Sequence, residues 1–237
     1  MEGRSTFYYG IQMRIVSLLI AVVVLSACGS SPKPTPEAVQ GPASESAPPA
    51  QPAPDDRPVI VAFGDSLTAG FGADPGKSYP DFLQQELDRR GYRYRVANAG
   101  ISGETTTDAL ARLDTLSALK PAVVIVEFGG NDGLRGLPVA TTRSNLDQII
   151  VALEQSGTQV LLAGMTLPPN YGPDYIATFQ RVYSDLAAKD KVALIPFLLE
   201  GVAGTSRMQR DGLHPTAEGN RLVAGTVARY VVPLLHK

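Results

Sequence analysis

The stretch VIVAFGDSLTAG, residues 59–70, begins as an apolar run and then breaks at Gly64, Asp65 and Ser66. An unbroken apolar run of this length is typical of a parallel strand that is buried on both faces. Gly and Asp favour a tight turn after such a strand. The serine that follows can be a helix cap, a phosphate contact or a nucleophile, and the rest of the chain has to decide between them.

Short apolar runs alternate with longer amphipathic segments through the rest of the chain. Strands are predicted at residues 58–63, 94–99, 122–128, 158–164 and 191–197. The alternation predicts one α/β domain over residues 58–237, a three-layer doubly wound sandwich around a five-stranded parallel sheet in the flavodoxin-like order 2-1-3-4-5. Five helices are predicted from apolar residues that recur at spacings of three and four: Tyr79, Phe82, Leu83 and Leu87; Leu110, Leu113 and Leu116; Leu146, Ile149, Ile150 and Leu153; Ile176, Phe179, Val182, Tyr183 and Leu186; and Leu222, Val223, Val227 and Tyr230.

Residues that could take part in chemistry through a side chain or a backbone N–H follow three neighbouring strands of this predicted sheet. The first strand leads into Ser66, the second into Gly100 and the third into Asn131. Because ligands bind beyond the carboxyl ends of the strands, where the strand order reverses, we expect these three residues to converge. His214 follows the last strand in RDGLHP, with Asp211 three residues before it, and can reach the same edge.

These residue types fit acyl transfer by a serine nucleophile. His214 can take the hydroxyl proton of Ser66, and Asp211 can hold the imidazole in the required tautomer. The Ser66 N–H, the Gly100 N–H and the Asn131 side-chain amide can donate to the oxyanion of a tetrahedral intermediate. Each residue also has a structural interpretation, because serine caps helices, glycine and asparagine form turns, and the Asp and His can belong to an ordinary loop.

Composition argues against several other functions. A formal net charge of −2 gives no electrostatic bias towards nucleic acid. The single cysteine, Cys28, excludes an intrachain disulfide and a zinc site built on several cysteines. The chain has only two histidines, His214 and the penultimate His236, so a histidine base depends on His214. A metal site from Asp65, Asp132 and His214 is short of histidines, so we interpret the two aspartates as structural and expect no metal or cofactor.

The N-terminal residues differ from the rest of the chain. The apolar run IVSLLIAVVVLSA is too short to span a bilayer comfortably, since spanning takes about 20 residues. Its end, LSAC, resembles the bacterial lipobox, so residues 1–28 are predicted to be a lipoprotein signal peptide ending at a lipidated Cys28. Residues 29–57, rich in Pro, Ala and Ser, are predicted to be a disordered tether. An ordinary cleaved signal and an uncleaved anchor are the alternatives. We expect a lipid-anchored protein of the bacterial envelope, on its periplasmic or outer-membrane side.

Four sequence blocks resemble a known family. GDSLTAG, NAGISGETT, GGND and DGLHP occur in the order found in the SGNH (GDSL) hydrolases, whose letters correspond to Ser66, Gly100, Asn131 and His214. The likeness covers nearly all of the folded domain. Within the superfamily the chain is most similar to the bacterial arylesterase, thioesterase I and lysophospholipase L1 group, and residues 165–175, MTLPPNYGPDY, resemble the mobile loop beside that group's acyl site.

The resemblance implies a serine esterase that hydrolyses carboxylic ester or thioester bonds through an acyl-enzyme on Ser66. It implies a catalytic set of Ser66, Asp211 and His214, an oxyanion hole of Ser66, Gly100 and Asn131, and no cofactor. It also implies a small acyl ester or lysophospholipid substrate. From the small net charge we expect no nucleic-acid partner, and we expect a monomer. Two alternatives stay open: a polysaccharide O-acetyl deacetylase that uses the same site, and a non-catalytic acyl-binding lipoprotein.

Overall fold

A computed structural model describes residues 55–237 of the chain. The predicted signal peptide, Cys28 and nearly all of the predicted tether lie outside the described residues. The five strands are β1 (Val59–Gly64), β2 (Arg95–Gly100), β3 (Pro121–Glu127), β4 (Gln159–Ala163) and β5 (Ala193–Ile195). They form one parallel sheet in the order β2-β1-β3-β4-β5, which confirms the predicted fold class and strand order.

The sheet register brings three strand ends to one edge. Gly64 at the end of β1 lies opposite Gly100 of β2 and Glu127 of β3. All six residues of β1 are buried, as expected for the central strand of a sheet covered on both faces. The segments that follow these three strands therefore start close together.

Helices cover both faces of the sheet. The α-helices are α1 (Ser66–Ala69), α2 (Tyr79–Arg89), α3 (Thr106–Ala111), α4 (Gly130–Leu134), α5 (Val139–Gln155), α6 (Pro173–Asp190) and α7 (Ala217–Val231). Three 3₁₀ helices span Leu113–Leu119, Pro169–Tyr171 and Val232–Leu234. Helix α2 packs against α7, whereas α5 packs against both α3 and α6. The helices divide between the two faces because the crossovers are right-handed and the chain moves one way along the sheet from β1 to β2 and the opposite way from β2 to β5. Within residues 55–237 no helix combines the length and the apolarity needed to cross a bilayer.

Two predicted helices differ from the observed ones. The second predicted helix, through Leu110, Leu113 and Leu116, is broken at Arg112, whose φ of −111° separates α3 from the 3₁₀ helix that follows. The Arg112 side chain turns inward there and donates to backbone carbonyls at the ends of two strands. On α7, Leu222 is exposed rather than buried, because it lies about 100° around the helix axis from the buried Val223.

Candidate active site

Ser66 is the first residue of α1, directly after the strand β1. Asp65 caps this helix, since its Oδ1 accepts the Leu67 N–H at 3.0 Å. The cap is therefore supplied by the aspartate, and the Ser66 hydroxyl is free for another role. The N–H of a first helical residue has no partner inside its own helix, so the Ser66 amide can also serve as a donor.

His214 and Asp211 meet Ser66 in one hydrogen-bonded chain. His214 Nε2 lies 2.9 Å from Ser66 Oγ, and its Nδ1 lies 2.7 Å from Asp211 Oδ2. Because an ionised carboxylate can only accept, Nδ1 carries the proton and Nε2 is left to accept from the serine hydroxyl. The structure thus brings the three predicted residues together although Ser66 and His214 are 148 positions apart.

Asp211 is fixed on the imidazole by backbone donors as well. Its Oδ1 accepts the N–H of Leu213 at 2.9 Å and that of His214 at 3.0 Å. Burial raises the pKa of Asp211, but the hydrogen bonds from His214 and Leu213 outweigh it and lower that pKa to about 2. Asp211 is therefore ionised at neutral pH.

Asn131, in the first turn of α4, faces the same cavity as Ser66 and His214. Its Nδ2 donates to Asp65 Oδ2 at 3.0 Å and to the carbonyl of Glu104 at 2.9 Å. Gly129 before it has a φ of +109°, and a Cβ there would lie 2.3 Å from Tyr183 Oη, so only glycine fits. The Gly-Gly turn therefore aims the Asn131 amide at the serine side of the sheet edge.

Gly100, the predicted second oxyanion donor, uses its N–H in a local hydrogen bond. The Gly100 N–H is not available, because it donates to Asn98 Oδ1 at 2.9 Å. Gly100 is instead required for packing, since a Cβ would lie 2.2 Å from the Ala69 backbone nitrogen. Gly103, in the same NAGISG block, has a φ of +86°, and no acceptor for its N–H is found among residues 55–237. It directly precedes Glu104, whose carbonyl accepts from Asn131 Nδ2.

A buried carboxyl pair lies next to the serine. The Asp65 N–H donates to Glu127 Oε2 at 3.2 Å, and Thr68 Oγ1 donates to the same oxygen at 2.8 Å. Burial raises the pKa of Asp65 to about 6, although its hydrogen bonds partly oppose the shift. Burial and the neighbouring Asp65 charge raise the pKa of Glu127 well above its ordinary value. Burial therefore disfavours a negative charge on both carboxyl groups at the same time.

Glu127 is not among the site residues that the sequence predicts, because AVVIVEF is typical of an ordinary apolar strand. Asp132, predicted to be structural, is buried, and its carboxylate accepts from the backbone N–H and the hydroxyl of Thr106 and from the hydroxyl of Thr142. A charged residue at the end of an otherwise apolar strand was the one available signal for Glu127.

Arg112 joins the ends of β1 and β2 to the loop that carries Gly103. Its guanidinium pairs with Glu104 Oε2 at 2.7 Å and donates to the carbonyls of Ala99 at 2.9 Å and Gly64 at 3.3 Å. It also stacks 4.4 Å from the ring centroid of Phe63. Since the Glu104 carbonyl accepts from Asn131, this arginine holds one side of the candidate oxyanion site in place.

An apolar cavity of about 520 Å³ opens beside Ser66 and His214. Part of one wall comes from residues 165–169, within the segment whose sequence resembles a loop beside an acyl site. A mainly apolar pocket with a few polar groups at one end suits a ligand with a hydrocarbon chain and one reactive polar group. Its apolar walls include Leu134, Met165, Leu167, Pro169, Phe197 and Leu199.

Comparison with known proteins gives the family. Residues 62–222 match the model of the GDSL-like Lipase/Acylhydrolase family. The chain belongs to this family. The predicted hydrolase family is therefore confirmed, and the protein is a carboxylic ester hydrolase of the GDSL type.

Relatives of this GDSL hydrolase carry esterase and thioesterase names. It is 46% identical over 179 residues to Esterase TesA of Pseudomonas aeruginosa, a match that covers 75% of this chain and 89% of the relative. It is 36% identical over 180 residues to Thioesterase 1/protease 1/lysophospholipase L1 of Escherichia coli, covering 75% and 85% of the two chains. A crystal structure of TesA superposes with a TM-score of 0.73 at 45% identity, covering 75% of this chain and 99% of that one.

No site for a metal ion is found in the part of the chain that the structure describes, where no group of three or more His, Cys, Asp or Glu side chains could hold one. The polar groups around Ser66 are instead occupied by hydrogen bonds to one another.

Proposed function

We propose that this GDSL hydrolase cleaves acyl esters and acyl thioesters through a covalent acyl-enzyme on Ser66. One observation carries the proposal: the Ser66 Oγ and His214 Nε2 atoms are 2.9 Å apart, with His214 held by Asp211, at the opening of an apolar cavity. A serine, a base and an orienting carboxylate in hydrogen-bonded series are the requirement for an activated hydroxyl nucleophile.

The chemistry takes two steps. His214 Nε2 accepts the Ser66 proton as Oγ attacks the carbonyl carbon, and the imidazolium then gives that proton to the departing alcohol or thiol. Water repeats the sequence on the acyl-enzyme, releasing the acid and the free serine. Asp211, ionised and bonded to Nδ1, stabilises the imidazolium that forms in both steps.

The oxyanion is stabilised by the N–H groups of Ser66 and Gly103 and by the side-chain amide of Asn131. Both Asn131 N–H groups are already bonded, to Asp65 and to the Glu104 carbonyl. One of these bonds has to be shared with the oxyanion as charge develops, so part of this donor's strength is exerted only in the transition state. Such differential binding raises the rate of the chemical step rather than the affinity for substrate.

The cavity supports substrates with an acyl chain longer than acetyl. Its apolar walls would contact a hydrocarbon chain, while an acetyl group would leave most of the volume unfilled. The names of the relatives, an esterase and a thioesterase/lysophospholipase, fit this substrate class. A polysaccharide deacetylase would not need such a cavity.

Hydrolysis of p-nitrophenyl esters from acetate to palmitate by the full chain and its Ser66→Ala variant tests the proposal. We expect activity that depends on Ser66 and rises from acetate to medium or long chains. A maximum at acetate would favour the deacetylase. No hydrolysis by a folded protein across the series would favour the acyl-binding lipoprotein, and fluorophosphonate labelling of Ser66 would distinguish an unreactive serine from a wrong choice of substrate.

We also propose that the chain is a monomeric lipoprotein anchored through Cys28 at the bacterial envelope, facing the periplasm or the outer membrane. The proposal is supported by the signal-like run and the LSAC sequence that ends at the only cysteine. Incorporation of a labelled fatty acid that is lost in Cys28→Ala, together with membrane fractionation, tests it. A protein of unchanged mass after labelling, released from the cell envelope without detergent, would contradict the lipid anchor.

A further inference from the structure

Gln209 joins the loop that carries the base to the segment that carries the nucleophile. This loop, residues 209–215, contains His214 and its carboxylate partner, and we call it the base loop. Gln209 Nε2 donates to the Phe71 carbonyl at 2.7 Å, across 138 positions of sequence. The N–H of Phe71 in turn donates to the Ser66 carbonyl at 3.0 Å. One side chain therefore connects the base loop to the turn that follows the nucleophile.

The same glutamine also closes the base loop on itself. Its backbone N–H donates to the His214 carbonyl at 2.7 Å, and its backbone carbonyl accepts from the Gly212 N–H at 3.0 Å. Its Nε2 makes a second hydrogen bond, to the Pro215 carbonyl at 3.0 Å. The amide lies directly over Gly72, where a Cβ would come within 2.3 Å of the glutamine Oε1. Both protons of the amide nitrogen are thus donated, one to each of the two segments that it joins.

Gln209 lies outside the substrate cavity. The cavity is lined by Met208 before it and by residues 212–214 after it, but not by Gln209 itself. Any effect of this side chain on the reaction therefore acts through the position of His214.

Acylation of Ser66 removes the other hydrogen bond between the two segments. Among the described residues, the base loop and residues 65–72 share only two hydrogen bonds, the one from Gln209 to Phe71 and the one between Ser66 Oγ and His214 Nε2. In the acyl-enzyme Oγ has no proton to donate, so the second bond is lost. His214 Nε2 must then accept a proton from water as the water oxygen attacks the acyl carbon, and Oγ receives that proton when its bond to the carbon breaks.

We propose that Gln209 is a positioning residue that holds His214 in place for the second half of the reaction, hydrolysis of the acyl-enzyme. The inference rests on the proposed function and deepens it, because it assigns a residue to one of the two chemical steps. The first half depends on Gln209 less, since the free enzyme also holds the imidazole through the Ser66 hydroxyl. A displaced base transfers protons less efficiently, so loss of the amide should slow release of the acid more than formation of the acyl-enzyme.

A carbamate ester measures the two halves of the reaction separately. p-Nitrophenyl N-butylcarbamate transfers its carbamoyl group to Ser66 Oγ and releases p-nitrophenol, whose absorbance gives the rate of the first half. The carbamoyl-enzyme is hydrolysed slowly, because the carbamate nitrogen makes the carbonyl carbon a poor electrophile. After excess reagent is removed, the return of esterase activity gives the rate of the second half.

Gln209→Met keeps the length of the side chain and removes its donor. We expect this variant to recover about tenfold more slowly than the unmodified chain, part of the factor of about 10² to 10⁴ that a well-placed base contributes. Carbamoylation should slow by less than about threefold, because the Ser66 hydroxyl still engages His214 in that step. Gly72→Ala should have the same effect, since its methyl group would displace the Gln209 amide without removing it, and it decides the question if Gln209→Met does not fold.

Gln84→Met is the matched control. Gln84 ties α2 to the start of β2 in the same manner, because its Nε2 donates to the Tyr94 carbonyl at 3.0 Å and its Oε1 accepts the Val96 N–H at 2.7 Å. The change should lower the thermal melting temperature and leave both rates within about twofold of those of the unmodified chain.

An unchanged recovery rate in Gly72→Ala or in a folded Gln209→Met would overturn the inference. Equal slowing of both halves would overturn it as well, and so would slow recovery in Gln84→Met. Release of p-nitrophenol that persists in Ser66→Ala, or no release by the unmodified chain, would overturn the proposed function and this inference with it. Release that depends on Ser66, with unchanged recovery in the Gln209 and Gly72 variants, would overturn the inference alone.

Discussion

The backbone N–H of Asp65, the residue directly before the candidate nucleophile, donates to Glu127 Oε2 at 3.2 Å, so two buried carboxyl residues adjoin each other. Both side chains are almost entirely buried, at 3% and 0% exposure. Asp65 also contacts the candidate oxyanion donor Asn131, because its Oδ2 accepts from the Asn131 side-chain amide. The protonation state of this pair is therefore linked both to stability and to the orientation of an oxyanion donor.

Glu127→Gln should gain stability relative to the unmodified chain as the pH rises. The unfolded chain releases the Glu127 proton near pH 4.3, whereas the folded protein keeps it to a much higher pH. The contribution of this group is thus fully present below about pH 4.3 and is lost as the pH rises towards the folded-state pKa, by up to about 1.4 kcal/mol per pH unit. Gln retains the acceptor for Asp65 and Thr68 without the titration.

Urea unfolding at pH 5 and pH 8 measures this difference. The exposed Glu154 offers a matched control, and Glu154→Gln should show no such pH-dependent gain. A stability difference between Glu127→Gln and the unmodified chain that is the same at both pH values would contradict a raised pKa of Glu127.

Asp211→Asn should reduce kcat by on the order of 10⁴ with little change in KM, a loss of the size known for the equivalent change in other serine hydrolases. Asn keeps an acceptor for the Leu213 and His214 N–H groups, but its NH₂ then faces His214 Nδ1. That contact favours the tautomer with the proton on Nε2, which cannot accept from Ser66. Steady-state kinetics beside the exposed Asp114→Asn variant measures the effect, and a loss below tenfold would assign Asp211 a purely structural role.

Asn131→Ala should lower kcat by on the order of 10² to 10³, with KM nearly constant, because one donor to the oxyanion is lost. The thermal melting temperature has to be measured alongside, since Asn131 also bonds to Asp65 and to the Glu104 carbonyl. A large rise in KM with constant kcat would mean that the amide binds the ground state of the substrate instead.

Gly100→Ala should mainly reduce stability, whereas Gly103→Ala should mainly reduce kcat. A methyl group on Gly100 meets the Ala69 backbone nitrogen at 2.2 Å, so this change should mainly lower the melting temperature. The nearest atom to a Cβ on Gly103 is Arg135 Nη2 at 3.8 Å, which leaves space, but a φ of +86° costs an alanine on the order of 1 kcal/mol. Relief of that strain turns the peptide that carries the donor, so kcat should fall. The opposite pattern would restore Gly100 as the oxyanion glycine.

Arg112→Met should destabilise the fold by on the order of 3 kcal/mol, since it leaves the largely buried Glu104 carboxylate without its cationic partner and removes one donor each from the Ala99 and Gly64 carbonyls. Arg112→Lys should recover only part of the loss, because one ammonium group cannot make the same set of planar hydrogen bonds. Chemical denaturation with the exposed Arg93→Met as control measures both. Full recovery by Lys would show that charge alone matters at this position.

The sequence was sufficient to predict the sheet and the neighbourhood of the site. Strands that are buried on both faces have an unmistakable apolar pattern, and each predicted strand lies within three residues of the observed one. Ser66, Asn131 and His214 could be expected to converge because strand order and parallel direction fix which loops are neighbours.

Contacts between distant side chains could not be read from local patterns. The choice between Gly100 and Gly103 depends on a hydrogen bond from Asn98 and on the approach of α1 to β2. The role of Arg112 could not be predicted, because its position fits an ordinary amphipathic helix. Its contacts with the Gly64 and Ala99 carbonyls depend on where the ends of β1 and β2 lie in the fold. Phe71 follows the nucleophile by five residues, yet its contact with His214 spans most of the domain's sequence.

The chain enters the domain at Val59, at the amino end of the central strand, and reaches the serine only at that strand's other end. Six residues of extended chain place these two points roughly 20 Å apart, on opposite edges of the sheet. A bead, a chip or a fusion partner attached ahead of residue 55 would therefore leave the cavity facing outward. An immobilised catalyst made from this chain should keep the kcat/KM of the free protein, whereas coupling through the loop of His214 would not.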